Sequence, residues 1–127
     1  MADIIVWTDI PVTDMQRAMR FYEHVTGEPV TLMPGMNDTV ALIGAPPSDQ
    51  GPVVSADLYL GGKPSHEGST VYLGAKRDID GMIARVTEAG GKVLEGKAFR
   101  GDQVGWIAFV EDTEGNRIGI QQPGDKS

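Results

Sequence analysis

The side chains that most often carry catalysis or bind metals are scarce in this sequence. It contains two histidines, His24 and His66, and no cysteine among its 127 residues. The lack of cysteine excludes disulfide frameworks, thiolate zinc sites and cysteine nucleophiles. His24 lies in a segment with helical periodicity and His66 in a glycine-rich linker. We therefore expect both histidines at the surface, as a solvated helix residue and a loop residue, and not as a catalytic base or a ligand contact.

The net negative charge of the chain argues against one class of partner, the nucleic acids. The formal net charge is −7 at pH 7, and the basic residues are scattered, with Lys76-Arg77 as their closest grouping. A phosphate backbone would be repelled by such a chain, so nucleic-acid binding is not expected. The apolar run near the N-terminus is too short for a signal segment or a membrane span, which predicts a cytoplasmic protein without membrane contact.

An internal repeat organises the chain. Two segments show apolar residues at matching helical positions, separated by about half of the sequence. The matching sets are Met15, Ala18, Met19, Tyr22 and Val25 in the first segment and Ile79, Met82, Ile83, Val86 and Ala89 in the second. Thr13 with Gln16 is typical of a capping box, Asp78 of an N-cap, and Gly27 and Gly90-Gly91 of helix ends. Both helices should bury one stripe against a core.

Each predicted helix is preceded by one strand-like run and followed by three more. The predicted strands are 4–10, 29–33, 39–43 and 53–60 in the first half, and 70–75, 92–98, 105–110 and 117–121 in the second. The sequence thus predicts an α+β fold of two βαβββ modules, at about residues 1–62 and 68–123, in a single domain spanning 1–127. If each helix covers one face of its sheet, the opposite faces should meet and enclose a shared cleft.

The order of these segments resembles that of the vicinal-oxygen-chelate superfamily, which includes glyoxalase I, extradiol dioxygenases and bleomycin-binding proteins. The resemblance covers nearly the whole chain. It is carried in the first half by Asp9-Ile10-Pro11-Val12-Thr13-Asp14-Met15, Ala18, Phe21-Tyr22 and Gly27. In the second half it is carried by Ile79-Asp80, Val86, the run 88–93, Trp106-Ile107-Ala108-Phe109 and the run 112–118. The resemblance implies a glyoxalase/bleomycin-resistance/dihydroxybiphenyl-dioxygenase-like fold. The run Asp112 to Asn116 is interpreted as a structural hairpin and not as a calcium loop.

The same resemblance places metal ligands on the first, fourth, fifth and eighth strands. Counting back equally from Asp14 and Asp78 gives Trp7 and Val71 for the first and fifth strands. The eighth-strand position falls near Gly119, which leaves Asp57 on the fourth strand as the only carboxylate. One carboxylate is too few for a divalent ion, so no metal and no cofactor are expected.

Strand alternation within this resemblance implies a mostly apolar pocket. Its expected ligand-binding residues are Trp7, Asp9, Asp57, Val71, Leu73, Arg117 and Gln121. Trp7 either stacks on a planar ligand or fills the space that a metal would occupy, and the sequence leaves both alternatives open. Asp9 or Asp57 orients a polar group, unless Asp57 is a solvated outward charge. Arg117 pairs with an anion, unless it is a hairpin surface residue.

Three functions follow as hypotheses. The first is a small-molecule binding protein of the bleomycin-resistance kind, with a metal-free cleft. The second is a glyoxalase-like lyase or isomerase that acts on a carbonyl compound through an atypical site. Lactoylglutathione lyase activity itself is not expected, because nothing supplies the electrophile that an enediolate needs. The third is action through association, and we expect a homodimer in any case.

Overall fold

The computed structural model describes residues 8–44 and 56–124. The first module runs β1(Asp9–Val12), α1(Met15–Thr26), β2(Val30–Leu32), β3(Val40–Ile43) and β4(Ala56–Leu60). The second runs β5(Val71–Gly74), α2(Ile79–Glu88), β6(Lys92–Phe99), β7(Trp106–Glu111) and β8(Arg117–Gln122). The predicted βαβββ repeat is confirmed. Residues 4–7 and 53–55 of the predicted strands lie outside the described residues.

Each module forms its own four-stranded sheet. The strand orders are β1-β4-β3-β2 and β5-β8-β7-β6. The first strand of each module pairs in parallel with the last, and the remaining pairs are antiparallel. Corresponding strands of the two modules therefore occupy corresponding places, as expected of a duplicated unit.

Local hydrogen bonds and a glycine define the helix ends, and one of the predicted caps differs from the structure. Helix α1 is capped by the side chain of Asp14, which accepts a hydrogen bond from Arg17 N. The predicted capping box beginning at Thr13 is therefore wrong, because the hydroxyl of Thr13 is bonded to Glu114 instead. Asp78 caps α2 as predicted, accepting from Gly81 N. Gly27 ends α1 in the left-handed conformation that glycine adopts without a steric penalty.

The two helices pack against each other and share one apolar core. The buried cluster contains α1 residues such as Phe21 and Val25 together with Val86 of α2 and Ile118 of β8. His24 and Glu88, which hold matching places in the two helices, meet across this contact at 2.8 Å. Matching residues that touch must lie close to the axis relating the modules. The modules are thus joined on the helix side of their sheets.

A carboxylate in the β7–β8 hairpin ties the second module to the start of α1. Glu114 accepts hydrogen bonds from the backbone N–H groups of Thr13 and Asp14 and from the Arg17 guanidinium. Nearby, the Asn116 amide donates to Pro11 O at 2.7 Å. The hairpin predicted at 112–116 is confirmed, and its polar side chains serve the junction between modules.

No helix in the part of the chain that the structure describes is both long enough and apolar enough to cross a membrane.

Candidate functional site

A groove of about 370 Å³ lies on the face of the second sheet that points away from α2. In β7, Ala108 and Val110 belong to the core cluster under the helices. Ile107 and Phe109 alternate with them and therefore point to the opposite face. The residues lining the groove come from β5, β7, β8 and the β6–β7 turn, and they are Tyr72, Arg100, Val104, Ile107, Phe109 and Gln121. The walls are mostly apolar, as is usual for small-molecule sites.

Tyr72 forms the floor of this groove. It is paired in register with Gly119 of β8, and its ring lies over that glycine so closely that a Cβ at position 119 would collide with it. The ring of Phe109 supports it edge-on, with the two ring centroids 5.9 Å apart. The Tyr72 residue nevertheless remains 51% exposed. One ring face thus rests on the sheet while the ring stays open to an incoming molecule.

Arg117 closes one side of the aromatic pair. Its guanidinium carbon lies 3.8 Å from the centroid of the Phe109 ring, in a cation–π contact. It also donates to Thr70 Oγ1 at 2.9 Å and lies 3.9 Å from a carboxylate oxygen of Glu95. Arg117 is therefore held in place by three neighbours, and its charge is already matched by Glu95.

The opposite end of the groove is bounded by the β6–β7 turn. Gln121 donates from Nε2 to Val104 O at 2.6 Å, which anchors the turn to β8. The N–H of Arg100 donates to Gly105 O at 2.8 Å. Gly105 has a φ of +85°, and a side chain there would collide with the backbone of Gln122. Only glycine fits at that position, so the turn holds Arg100 and Val104 at the groove edge.

Three of the seven residues expected to form the pocket, Asp9, Val71 and Arg117, line one groove at the junction of the modules, and the other described ones lie elsewhere. Trp7 lies outside the described residues. Asp9 and Asp57 are paired in register on the first sheet, and Asp57 is only 6% exposed, so the alternative of a solvated outward charge is wrong. Of the seven residues, Gln121 lines the groove on the second sheet, and Arg117 contacts its wall through Phe109.

Val71 and Leu73 lie on the other face of the second sheet from the one expected. Both pack against the core cluster beneath the helices, while Tyr72 between them points into the groove. The cause is one extra residue in the β5–α2 connection. In the first module the last core residue before the helix cap is Val12, two positions before Asp14. In the second module it is Ala75, three positions before Asp78. Because side chains alternate along a strand, an error of one position exchanges the two faces.

Sequence reasoning missed most of the groove, namely Tyr72, Arg100, Val104, Ile107 and Phe109. A usable signal was present in Tyr72 and Phe109, which are large aromatic residues alternating with core residues on β5 and β7, the two strands that flank β8. The Tyr72 groove is not the cleft expected between the two modules. The 370 Å³ groove is lined by second-module residues, and a more polar groove of about 160 Å³ lies at the junction of the modules. That junction groove is lined by residues of both, including Asp9, Val71 and Arg117.

The described residues do not form the metal site that the superfamily resemblance implies. Gly119 has no side chain, and the ring of Tyr72 fills the space beside it. Within 8–44 and 56–124, no three or more His, Cys, Asp or Glu side chains are grouped so that they could hold an ion. Both histidines are exposed and bonded to carboxylates, His24 to Glu88 and His66 to Glu111.

Comparison with known proteins gives the family. The family model described as Glyoxalase/Bleomycin resistance protein/Dioxygenase superfamily matches residues 4–120. This chain belongs to that superfamily. The glyoxalase/bleomycin-resistance fold accounts for the two βαβββ modules and confirms the resemblance seen in the sequence. Among curated proteins, none matches the chain.

Several solved structures share the superfamily fold. A glyoxalase/bleomycin resistance protein from Albidiferax ferrireducens has a TM-score of 0.69 at 17% identity, covering 94% of this chain and 98% of that one. The antibiotic-binding protein TnmS3 from a Streptomyces species has a TM-score of 0.63 at 23% identity, with 97% and 98% covered. The fosfomycin resistance protein FosX from Listeria monocytogenes, in complex with Mn(II), has a TM-score of 0.68 at 9% identity, with 99% and 94% covered. At these identities the likeness concerns the fold alone.

Proposed function

We propose that this protein binds a planar small organic molecule without using a metal, in the groove on its second sheet. The observation that carries the proposal is the ring of Tyr72 lying over Gly119, at the position where the superfamily resemblance places a metal ligand. An aromatic platform replaces a coordinating group there. Stacking and apolar burial, rather than coordination, would then provide the affinity.

The composition of the groove favours binding over chemistry. Its six lining residues include no carboxylate, histidine, serine or lysine. Proton transfer and nucleophilic attack most often use such groups, and the phenol of Tyr72 is the one side chain of the six that could serve instead. Antibiotic binding by TnmS3, a protein of the same fold, agrees with this kind of function.

Gly119→Ala is the sharpest test, because it removes no polar group. The new methyl group must displace the Tyr72 ring, which is half exposed in the single chain. We expect the variant to fold and to lose at least about tenfold in affinity for planar compounds found by thermal shift with a diverse library. Gly96→Ala is the matched control, since a Cβ at Gly96 meets nothing within 4 Å.

Two substitutions of Tyr72 separate the ring from its hydroxyl. Tyr72→Phe keeps the platform and should bind planar compounds as the parent protein does, whereas Tyr72→Leu should bind them at least about tenfold more weakly. Full affinity in both Gly119→Ala and Tyr72→Leu would rule out this groove as the binding site. A library without any binder would argue against the function itself.

We also propose that the protein is a homodimer in which a second copy covers this face. Large apolar side chains at the groove are exposed in the single chain, with Tyr72 at 51% and Val104 at 43%. Contiguous exposed apolar residues are typical of interaction surfaces. A covered groove would bury more of a bound ligand than the open one does.

A second candidate function, a lyase or isomerase acting on a carbonyl compound, is favoured by one observation. Asp9 and Asp57 are register partners on the first sheet, and the Asp57 carboxyl is buried there, so two carboxyl groups share one face. Elemental analysis of protein purified without chelator tests the metal-dependent form of this function. A stoichiometric divalent ion that Asp57→Asn abolishes would favour the enzyme, and its absence would exclude the metal-dependent enzyme.

A further inference from the structure

The groove on the second sheet is cationic in a protein that is otherwise acidic. The chain has 18 acidic and 11 basic residues, yet Arg100 is the one ionised side chain among the six that line this groove. Two other grooves formed by described residues each contain carboxylates, Asp9 and Glu67 in one and Glu28 in the other. No carboxylate is among the six residues that line the Tyr72 groove, so none of these residues opposes the charge of Arg100.

Arg100 is held at the groove by its backbone and not by its side chain. The turn fixes its N–H on Gly105 O, whereas within residues 8–44 and 56–124 the guanidinium forms no hydrogen bond or ion pair. A guanidinium presents five N–H donors and no acceptor, in a geometry that matches a carboxylate. As far as the described residues are concerned, a bound anion would therefore not have to displace another partner of this side chain.

Arg117, the arginine expected from the sequence to pair with an anion, is placed for another role. Its guanidinium is stacked on Phe109, bonded to Thr70 and close to Glu95. An anion approaching it would meet the Glu95 carboxylate as well. Among the two arginines near the aromatic pair, Arg100 is therefore the better partner for an anionic group.

Gln121 adds a second polar requirement. Its amide nitrogen is used by Val104 O, and its carbonyl oxygen accepts no hydrogen bond from the described residues. With the amide orientation fixed in this way, Gln121 presents an acceptor at the groove. A ligand hydroxyl or N–H group would satisfy it.

We infer that the ligand of this groove is an aromatic acid, in which a planar ring rests on Tyr72 and a carboxylate pairs with the guanidinium of Arg100. This inference rests on the proposed binding function and specifies its ligand class. A ring hydroxyl or N–H donating to Gln121 completes the expected pattern. The three residues belong to different elements, β5, the β6–β7 turn and β8, but they line the same groove. A single bound molecule would therefore contact all three.

A pair of probes of equal shape tests the charge requirement. 1-Hydroxy-2-naphthoic acid is anionic at pH 7, and 1-hydroxy-2-naphthamide is neutral. We expect the parent protein to bind the acid about tenfold more tightly than the amide in titration calorimetry, since the ion pair is partly exposed to solvent. Added salt should reduce this preference.

Arg100→Gln should remove the preference for the acid while leaving amide binding unchanged. Arg20→Gln, an exposed arginine on α1 with the same change of charge, is the control and should keep the preference. A preference that survives Arg100→Gln, or falls equally in Arg20→Gln, would refute the role of Arg100.

The binding results distinguish a wrong ligand class from a failure of the proposed small-molecule binding. If the parent protein binds both probes equally, and Tyr72→Leu weakens both, the groove binds planar molecules and the acid requirement is wrong. If neither probe binds while library compounds bind in a Tyr72-dependent manner, the ligand class is wrong and the function stands. If no compound binds, the function itself fails.

Discussion

At the scale of single residues, the most heavily bonded side chain in the described chain holds the two modules together. The Glu114 side chain is fully buried and accepts from two backbone N–H groups, from Arg17 and from the hydroxyls of Thr13 and Thr113. Burial alone would raise the pKa of this carboxyl, but the hydrogen bonds from Arg17 and the backbone prevail and lower it from 4.5 to about 2. The ionised form is what the junction requires.

Glu114→Gln should therefore destabilise the protein by about 2 kcal/mol at pH 7. Because the pKa is lower in the folded state, the stabilisation by Glu114 is complete above about pH 4.5 and is lost as the pH falls toward 2. Urea unfolding of parent and variant at several pH values measures this. The difference in the free energy of unfolding should shrink over that acidic range.

Glu67→Gln provides the matched control, since Glu67 is an exposed residue of the linker. It should change the free energy of unfolding by less than about 0.5 kcal/mol at any of these pH values. An equal loss in both variants would mean that Glu114 has no special role.

A second buried pair, Tyr22 with Asp112, secures the same hairpin from the core. The Tyr22 hydroxyl donates to Asp112 Oδ2 at 2.6 Å, and Asp112 Oδ1 accepts from the backbone N–H groups of residues 114, 115 and 116. Burial raises the pKa of the Tyr22 phenol well above its usual 10, and the Asp112 carboxylate adds to this rise. The phenol is thus a permanent donor.

Tyr22→Phe should cost about 2 kcal/mol, because it leaves a buried carboxylate short of one charge-assisted hydrogen bond. Denaturant unfolding at pH 7 measures the loss. Tyr72→Phe, which removes an exposed phenol, should leave the stability within about 0.5 kcal/mol of the parent. A Tyr22→Phe variant as stable as the parent would show that the bond contributes little.

At the scale of elements, the contact between α2 and β6 depends on a glycine. A Cβ at Gly91 would lie 2.5 Å from Glu111 O and 2.7 Å from the ring of Phe21. The carbonyl belongs to β7 and is fixed in the sheet, so it has no room to move aside. The close approach of the helix end to the sheet thus requires the absence of a side chain.

Gly91→Ala should accordingly destabilise the protein by about 2 kcal/mol, as overpacking does elsewhere. Gly96→Ala, in the exposed strand β6, is again the control and should be near neutral. Thermal unfolding of the two variants measures the difference. Similar melting temperatures for both would contradict the packing argument.

At the scale of the whole molecule, the proposed homodimer can be tested through the groove. Val104→Asp places a charge at the exposed edge of that face and should shift the protein from twice 13.6 kDa toward the monomer mass in sedimentation equilibrium. Val93→Asp, at a similarly exposed valine of β6, should remain dimeric. Dissociation of the Val93→Asp variant alone would place the interface at β6 and contradict our assignment, and a monomeric parent protein would exclude the dimer.

The sequence by itself determined the duplicated fold. The apolar periodicity of Met15 to Val25 and Ile79 to Ala89 reflects one-sided burial of two helices, which any compact structure must satisfy. Local hydrogen bonding likewise determines the Asp78 cap, the end of α1 at Gly27 and the hairpin from Asp112. Such features depend on a few neighbouring residues and can therefore be predicted from a short stretch of chain.

Only the tertiary structure decided which strand face forms the candidate site. The connection between Ala75 and Asp78 is one residue longer than its counterpart in the first module, and Lys76 within it takes a φ of +56°. Each β5 side chain therefore points to the opposite face from the one obtained by counting back from Asp78. Val71 and Leu73 thereby pack in the core, and Tyr72 faces the groove. A two-residue side-chain period makes any site assignment sensitive to a single insertion, whereas fold assignment tolerates it. The meeting of Tyr72, Arg100 and Gln121 depends on strand pairing between distant segments, which local sequence does not encode.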